Sequence, residues 1–192
     1  MVVESDTSLP PAMLPNLTDL EITYEHGGDW LRMFRGAMLD KLETVTFYPG
    51  SEQIGDFLEA FARVALATSI QNTLSTFHLH ASCSWNPNCS SLLPFTGLTT
   101  LAIGFSCDDG CSSTVDDDIL MSLAQTMPRL ESISFGGSPC QIPTGVTVKG
   151  LAALAHYCSG LSELCIHFQA ATLDPSAIPR VTSGGERGRT VL

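Results

Sequence analysis

The chain has 192 residues, 44% of them hydrophobic and 15% charged, which is enough apolar material for one continuous core and too much for a disordered segment. Its formal net charge is -11, with Asp108, Asp109, Asp116, Asp117 and Asp118 close together, so the average field repels phosphate backbones and anionic lipids, and neither nucleic acid nor membrane is an expected partner. No apolar run approaches the ~20 residues that cross a bilayer, the N-terminus carries acids where a signal peptide carries bases, and seven irregularly spaced cysteines read as reduced thiols; the expected setting is intracellular, cytoplasmic or nuclear.

Residues 1–13 read as a poorly ordered lead. After them Leu14, Leu17, Leu20 and Ile22 set out a frame, apolar-x-x-Leu-x-x-apolar-x-apolar. Its last two apolar residues are two apart and share one face of an extended segment, which predicts a short strand. Trp30, Leu31, Phe34 and Met38 follow with helical period. The frame returns as Leu39, Leu42, Val45 and Phe47, and a second helix is expected over Ile54, Phe57, Leu58, Phe61 and Ala65, capped at Ser51 followed by Glu52. A third copy, Leu74, Phe77 and Leu79, has Gln71 in the first apolar place. The link from Ser82 to Pro94 has no helical period and is expected to be a loop.

Phe95, Leu98, Leu101 and Ile103 form the fourth copy. Thr114, with Asp117 three residues later, is expected to cap a helix over Ile119, Leu120, Leu123, Ala124 and Met127, whose last residue opens the fifth copy, Met127, Leu130, Ile133 and Phe135. A final helix over Leu151, Leu154, Ala155 and Cys158 leads into Cys158, Leu161, Leu164 and Ile166. The second positions are spaced 25, 32, 24, 32 and 31 residues apart, a repeat of irregular period. Residues 171–192, with Pro175, Pro179 and a run of glycine and arginine, are expected to be disordered. With no polar cap before the first copy, the chain reads as a fragment, or as lacking an N-terminal module.

Strand followed by helix, repeated in one sense, predicts parallel strands. A doubly wound sheet wants strands that are apolar on both faces. These strands alternate instead: Asp19, Glu21 and Thr23 flank Leu20 and Ile22, while Thr76, His78 and His80 flank Phe77 and Leu79. The expected fold over 14–170 is therefore an α/β solenoid, a short right-handed arc with about six parallel strands on its concave face and helices and loops on its convex face. The alternative is a doubly wound α/β enzyme or nucleotide-binding domain with its ligand at the strand C-termini.

The stretch from Val146 to His167 resembles the cysteine-containing leucine-rich repeat of F-box proteins, of the ribonuclease-inhibitor-like kind and including fungal members. Gly150, Leu151, Leu154, Ala155, Cys158, Leu161, Leu164 and Ile166 match its pattern, and Asp118 to Phe135 follows the same outline with Met127-Pro128 at the cysteine. The resemblance implies a leucine-rich-repeat fold and a protein-binding role, such as substrate recognition in a ubiquitin-ligase receptor. Docking onto a ubiquitin-ligase adaptor would need an F-box, which is not in this chain. Where many such repeats hold a buried Asn after the strand, this sequence has Glu25, Gly50, Ser82, Ser106, Ser138 and Gln169.

The expected partner is another protein, received on the concave face by Asp19, Glu21, Thr23, Thr46, Tyr48, His78, His80, Glu163 and His167. Asp19, Glu21, Tyr48, His78 and His80 are the main anchors, because aromatic and charged groups anchor and steer. No catalytic set, cofactor or metal site is expected. His78 and His80 share a face without the further ligands zinc needs, and Cys107-x3-Cys111 lacks a second pair at zinc-ribbon distance. Gly136-Gly137-Ser138 reads as a turn, Asp116 to Asp118 as the first turn of a helix, and Cys158 as a small core residue.

Overall fold

In the structure, a computed structural model, residues 14–24, 34, 37, 39–49, 57–82, 88–106, 115–136 and 145–166 are described. The alternating segments form six strands, β1 (Asp19–Tyr24), β2 (Thr44–Pro49), β3 (Thr76–Ser82), β4 (Thr100–Ser106), β5 (Ser132–Phe135) and β6 (Glu163–Ile166). Three segments of helical period form α1 (Phe57–Ala67), α2 (Asp117–Thr126) and α3 (Val148–Tyr157), with short 3-10 turns at Ile70–Asn72 and Cys89–Leu92. No helix among the described residues is long and apolar enough to cross a membrane.

All six strands lie parallel in one sheet, in chain order. Among the described strands the order does not reverse, so they form no switch point of the kind at which a doubly wound sheet gathers its ligand. The register aligns the sequence frame rung by rung. Leu20, Val45, Phe77, Leu101, Ile133 and Leu164 make one row, and Ile22, Phe47, Leu79, Ile103, Phe135 and Ile166 the next.

Hydrogen bonds just before each strand hold this register. The carbonyl of Thr18 accepts from the amides of Glu43 (2.8 Å) and Thr44 (2.9 Å), and that of Glu43 accepts from Ser75 and Thr76 (2.9 Å each). Ser75, Thr99 and Glu131 continue the same double acceptance to β6. Hydroxyls reinforce it: Thr99 donates to the Ser75 carbonyl at 3.1 Å and Ser162 to that of Glu131 at 3.1 Å. Each carbonyl accepts twice, so these backbone groups are satisfied without the side-chain ladder that an Asn would supply.

One face of the sheet is packed under the helices. Val45, Phe47, Phe77, Leu79, Leu101, Ile103 and Ile133 are fully buried. Phe61 of α1 meets the rings of Phe47 and Phe77 at 5.3 Å and Phe95 at 5.4 Å, so one aromatic side chain ties three repeats together. At the far edge the covering thins: Leu164 is 45% exposed and Tyr157 40%.

Four sequence expectations need correction. In the third copy the apolar place is filled by Ile70, fully buried, and not at Gln71; Leu74 donates its amide to the Ile70 carbonyl, because the 3-10 turn lengthens the approach by one residue. The Ser82–Pro94 link holds the short Cys89–Leu92 turn, with Cys89 and Leu92 buried. The cap of α2 is Asp116, whose carboxylate accepts from Ile119 N at 2.9 Å; Thr114 lies outside the described residues, and a bridge to Gly145 holds Asp116 extended. In α3 the buried positions are Gly150, Ala153 and Leu154, whereas Ala155 is exposed. Residues 1–13, 171–192, the Ser51 cap and most of the 30–38 segment lie outside the described residues; Phe34 and Ala37 from that segment are buried.

Candidate functional site

The opposite face of the sheet carries the polar members of the alternation, and the register arranges them in rows. Asp19, Thr44, Thr76, Thr100, Ser132 and Glu163 form the first row; Glu21, Thr46, His78, Ala102, Ser134 and Cys165 form the second. In the third, Thr23 pairs with Tyr48 and His80 with Gly104. Asp19, Glu21, Thr23, Tyr48, His80 and Glu163 are exposed and Thr46 and His78 are half-buried, in contrast to the opposite rows, which are buried from β2 to β5. Eight of the nine site residues expected from the sequence thus share one face; His167 lies outside the described residues.

Across β2 and β3 this face is aromatic. The Tyr48 and His80 rings stack with centroids 4.7 Å apart and planes 4° from parallel, while Tyr48 stays 36% exposed. Gly104 makes room for this pair: a Cβ there would stand 3.3 Å from Nδ1 of His80. His78, one turn of the pleat away, has its pKa held below the usual 6.5 by burial and, secondarily, by the neighbouring His80. His78 therefore favours its neutral form at neutral pH.

The acids sit at the two margins. Asp19 accepts a hydrogen bond from the Thr18 hydroxyl at 2.7 Å, and Glu163 accepts one from the Ser132 hydroxyl at 2.9 Å. Among the described residues, Lys41 bonds Asn16, Arg63 pairs with Glu59 on α1, Lys149 pairs with Asp118, and Arg129 lies before β5. No lysine or arginine among the described residues stands on the polar sheet face.

No group of three metal-ligating side chains occurs among the described residues, and Cys107 and Cys111 lie outside them. Asp117 turns toward α3 and accepts from Thr147 N (2.8 Å), Thr147 Oγ1 (2.6 Å) and Gly150 N (3.0 Å). Burial alone would raise its pKa, but these bonds and the charge of Lys149 outweigh that and hold the carboxyl below 3.8. Cys158 donates its thiol to the carbonyls of Met127 (3.6 Å) and Ala124 (3.8 Å), closing the C-terminal end of α2; burial raises its pKa, and pushes that of Cys89 up to about 12. Both thiols are protonated at neutral pH. Gly136 has φ 124° and gives its amide to the Ile103 carbonyl, which extends the β4–β5 ladder by one bond; Gly137 and Ser138 lie outside the described residues.

An open cleft of about 410 Å³, not anticipated from the sequence, runs along the N-terminal ends of β1 to β4. Thr18, Lys41, Glu43, Ser75, Thr99 and Arg129 are among its lining residues. It follows the backbone stitching, and its charges are of both signs. The only sequence signal for it was the polar residue that precedes each strand.

The chain matches no family model, no curated protein and no solved structure. The chemistry of the polar sheet face is thus the ground for a functional reading.

Proposed function

We propose that the chain is a leucine-rich-repeat scaffold that binds another protein across the polar face of its sheet. The observation that carries this reading is the one-sided sheet: six parallel strands in chain order bury one set of rows and leave the other open, with a stacked Tyr48–His80 pair across β2 and β3. A rigid sheet presents side chains at fixed spacing, and an exposed aromatic pair supplies contact area at little entropic cost. Within the F-box resemblance, the partner is a ubiquitin-ligase substrate, and adaptor docking belongs to a longer protein that carries the helical module.

A photo-crosslinker placed at Thr46, with capture from the native cell and mass spectrometry, tests the reading. A partner is expected to crosslink to the wild-type face and to lose about tenfold or more in affinity for a folded Tyr48→Ala/His80→Ala variant, the scale of a hot-spot loss. Undiminished binding by that variant would count against the sheet face.

A further inference from the structure

The acids and the aromatic pair are not evenly spread over the face, and their arrangement defines a partner chemistry. Glu21 stands on β1 and Tyr48 on β2, where Thr23 is its register partner, so Glu21 is the diagonal neighbour of Tyr48. With strands ~4.8 Å apart and ~3.3 Å per residue along them, such diagonal neighbours lie about 8 Å apart, close enough for one long side chain to touch both. Asp19 is the next outward residue along the same strand, and the carboxylate of Glu21 makes no ion pair or hydrogen bond among the described residues.

Tyr48 is exposed diagonally across from Glu21, with Asp19 two residues further along β1, and its ring plane is fixed by the stack on His80. A guanidinium is the group that suits both features, since it is planar, stacks on an aromatic ring and pairs with carboxylates. A lysine ammonium could answer the acids but not the ring as well. Among the described residues no lysine or arginine on this face offsets these acids, and the chain's net charge of -11 steers cations toward it from a distance.

We propose that the β1–β2 end of the polar sheet face takes a basic, arginine-bearing segment of another protein, with Asp19 and Glu21 pairing its charges and Tyr48 stacking a guanidinium. This rests on the scaffold reading of the face and names the chemistry of its partner.

Fluorescence anisotropy on the full chain tests it, with an arginine-rich peptide, its lysine counterpart and an aspartate-rich peptide of equal length as probes. The arginine peptide is expected to bind best, and the aspartate peptide not at all. Its affinity should fall as salt shortens the screening length, which is about 10 Å at 0.1 M. Glu21→Gln should weaken binding by about fivefold, the upper range for an exposed ion pair. Tyr48→Ala should remove the preference for arginine over lysine, about two- to fivefold for an exposed cation–π contact.

Glu59→Gln and Asp118→Asn remove the same unit of charge from α1 and α2, away from the face, and should leave the affinity unchanged. Equal weakening by these two variants, binding of the aspartate peptide, or a second copy of the chain seated on the face by sedimentation overturns the proposal. If no basic peptide binds while crosslinks from Thr46 to a partner protein persist, the arginine chemistry falls and the scaffold reading stands. If the crosslinks are absent too, both fall.

Discussion

The same sequence frame produces different environments in β4 and β6. Leu101 and Leu164 hold equivalent places in one row of the register, yet Leu101 is fully buried and Leu164 is 45% exposed. What differs is the neighbour: β4 is flanked by β3 and β5, whereas β6 pairs only with β5 among the described residues. A repeat of this kind cannot close its own core, and its stability comes from stacking. The comparison teaches that a frame position marks direction, while burial depends on what stacks next.

The sharpest test is a pair of truncations. Leu101→Ala is expected to cost about 2–5 kcal/mol by chemical denaturation, as for other buried leucines, and Leu164→Ala less than about 1 kcal/mol. Equal costs would break the comparison.

A second test concerns Asp117, which couples α2 to α3 by accepting three hydrogen bonds from Thr147 and Gly150. Asp117→Asn should destabilise by about 1–3 kcal/mol, because one or more donors lose their acceptor. Since its folded pKa lies below 3.8, the carboxylate contributes stability above that value and loses it as pH falls through the folded value; the variant should lack this acid-dependent step.

The pH profile nearer neutrality separates the middle of the sheet from its edge. His78 has a folded pKa below 6.5, so folding favours its neutral form, and the unfolded chain binds the extra proton first as pH drops. Stability should therefore decline from pH 6.5 downward and level off below the folded value, and His78→Gln should flatten that decline in denaturation curves. The smallest effect is expected for Gly104→Ala. Its Cβ would press on His80 at 3.3 Å, which should shift the His80 ring resonances in NMR spectra while changing stability by less than about 1 kcal/mol.

Much of this architecture is legible in the sequence because it depends on local alternation. Leu20 and Ile22, Val45 and Phe47, and their successors fall in register because each pair is preceded by the same short approach, closed in most copies by an amide-to-carbonyl bond such as Leu42 to Leu39 or Leu98 to Phe95. The exposed partners Glu21, Thr46 and His78 then follow from the pleat. What was hidden depends on distant groups or on backbone phase. Asp117 is one of three adjacent aspartates, and nothing local distinguishes it from Asp116 and Asp118; its role is set by Thr147, thirty residues later. Gln71 occupied the right place in the frame, but the 3-10 turn moved that place to Ile70. The stacking of Tyr48 on His80 required both the register and the vacancy at Gly104.

The doubly accepting carbonyls of Thr18, Glu43, Ser75, Thr99 and Glu131 have a further consequence. They fasten each strand to its predecessor at the point of entry, so alignment is fixed before the strand begins and does not depend on how many residues were spent since the last one. Spacers as different as 24 and 32 residues therefore deliver their strands to the same depth. Insertions between latches need not move a single side chain across the sheet, so the connections can change length while the register of the polar face stays constant.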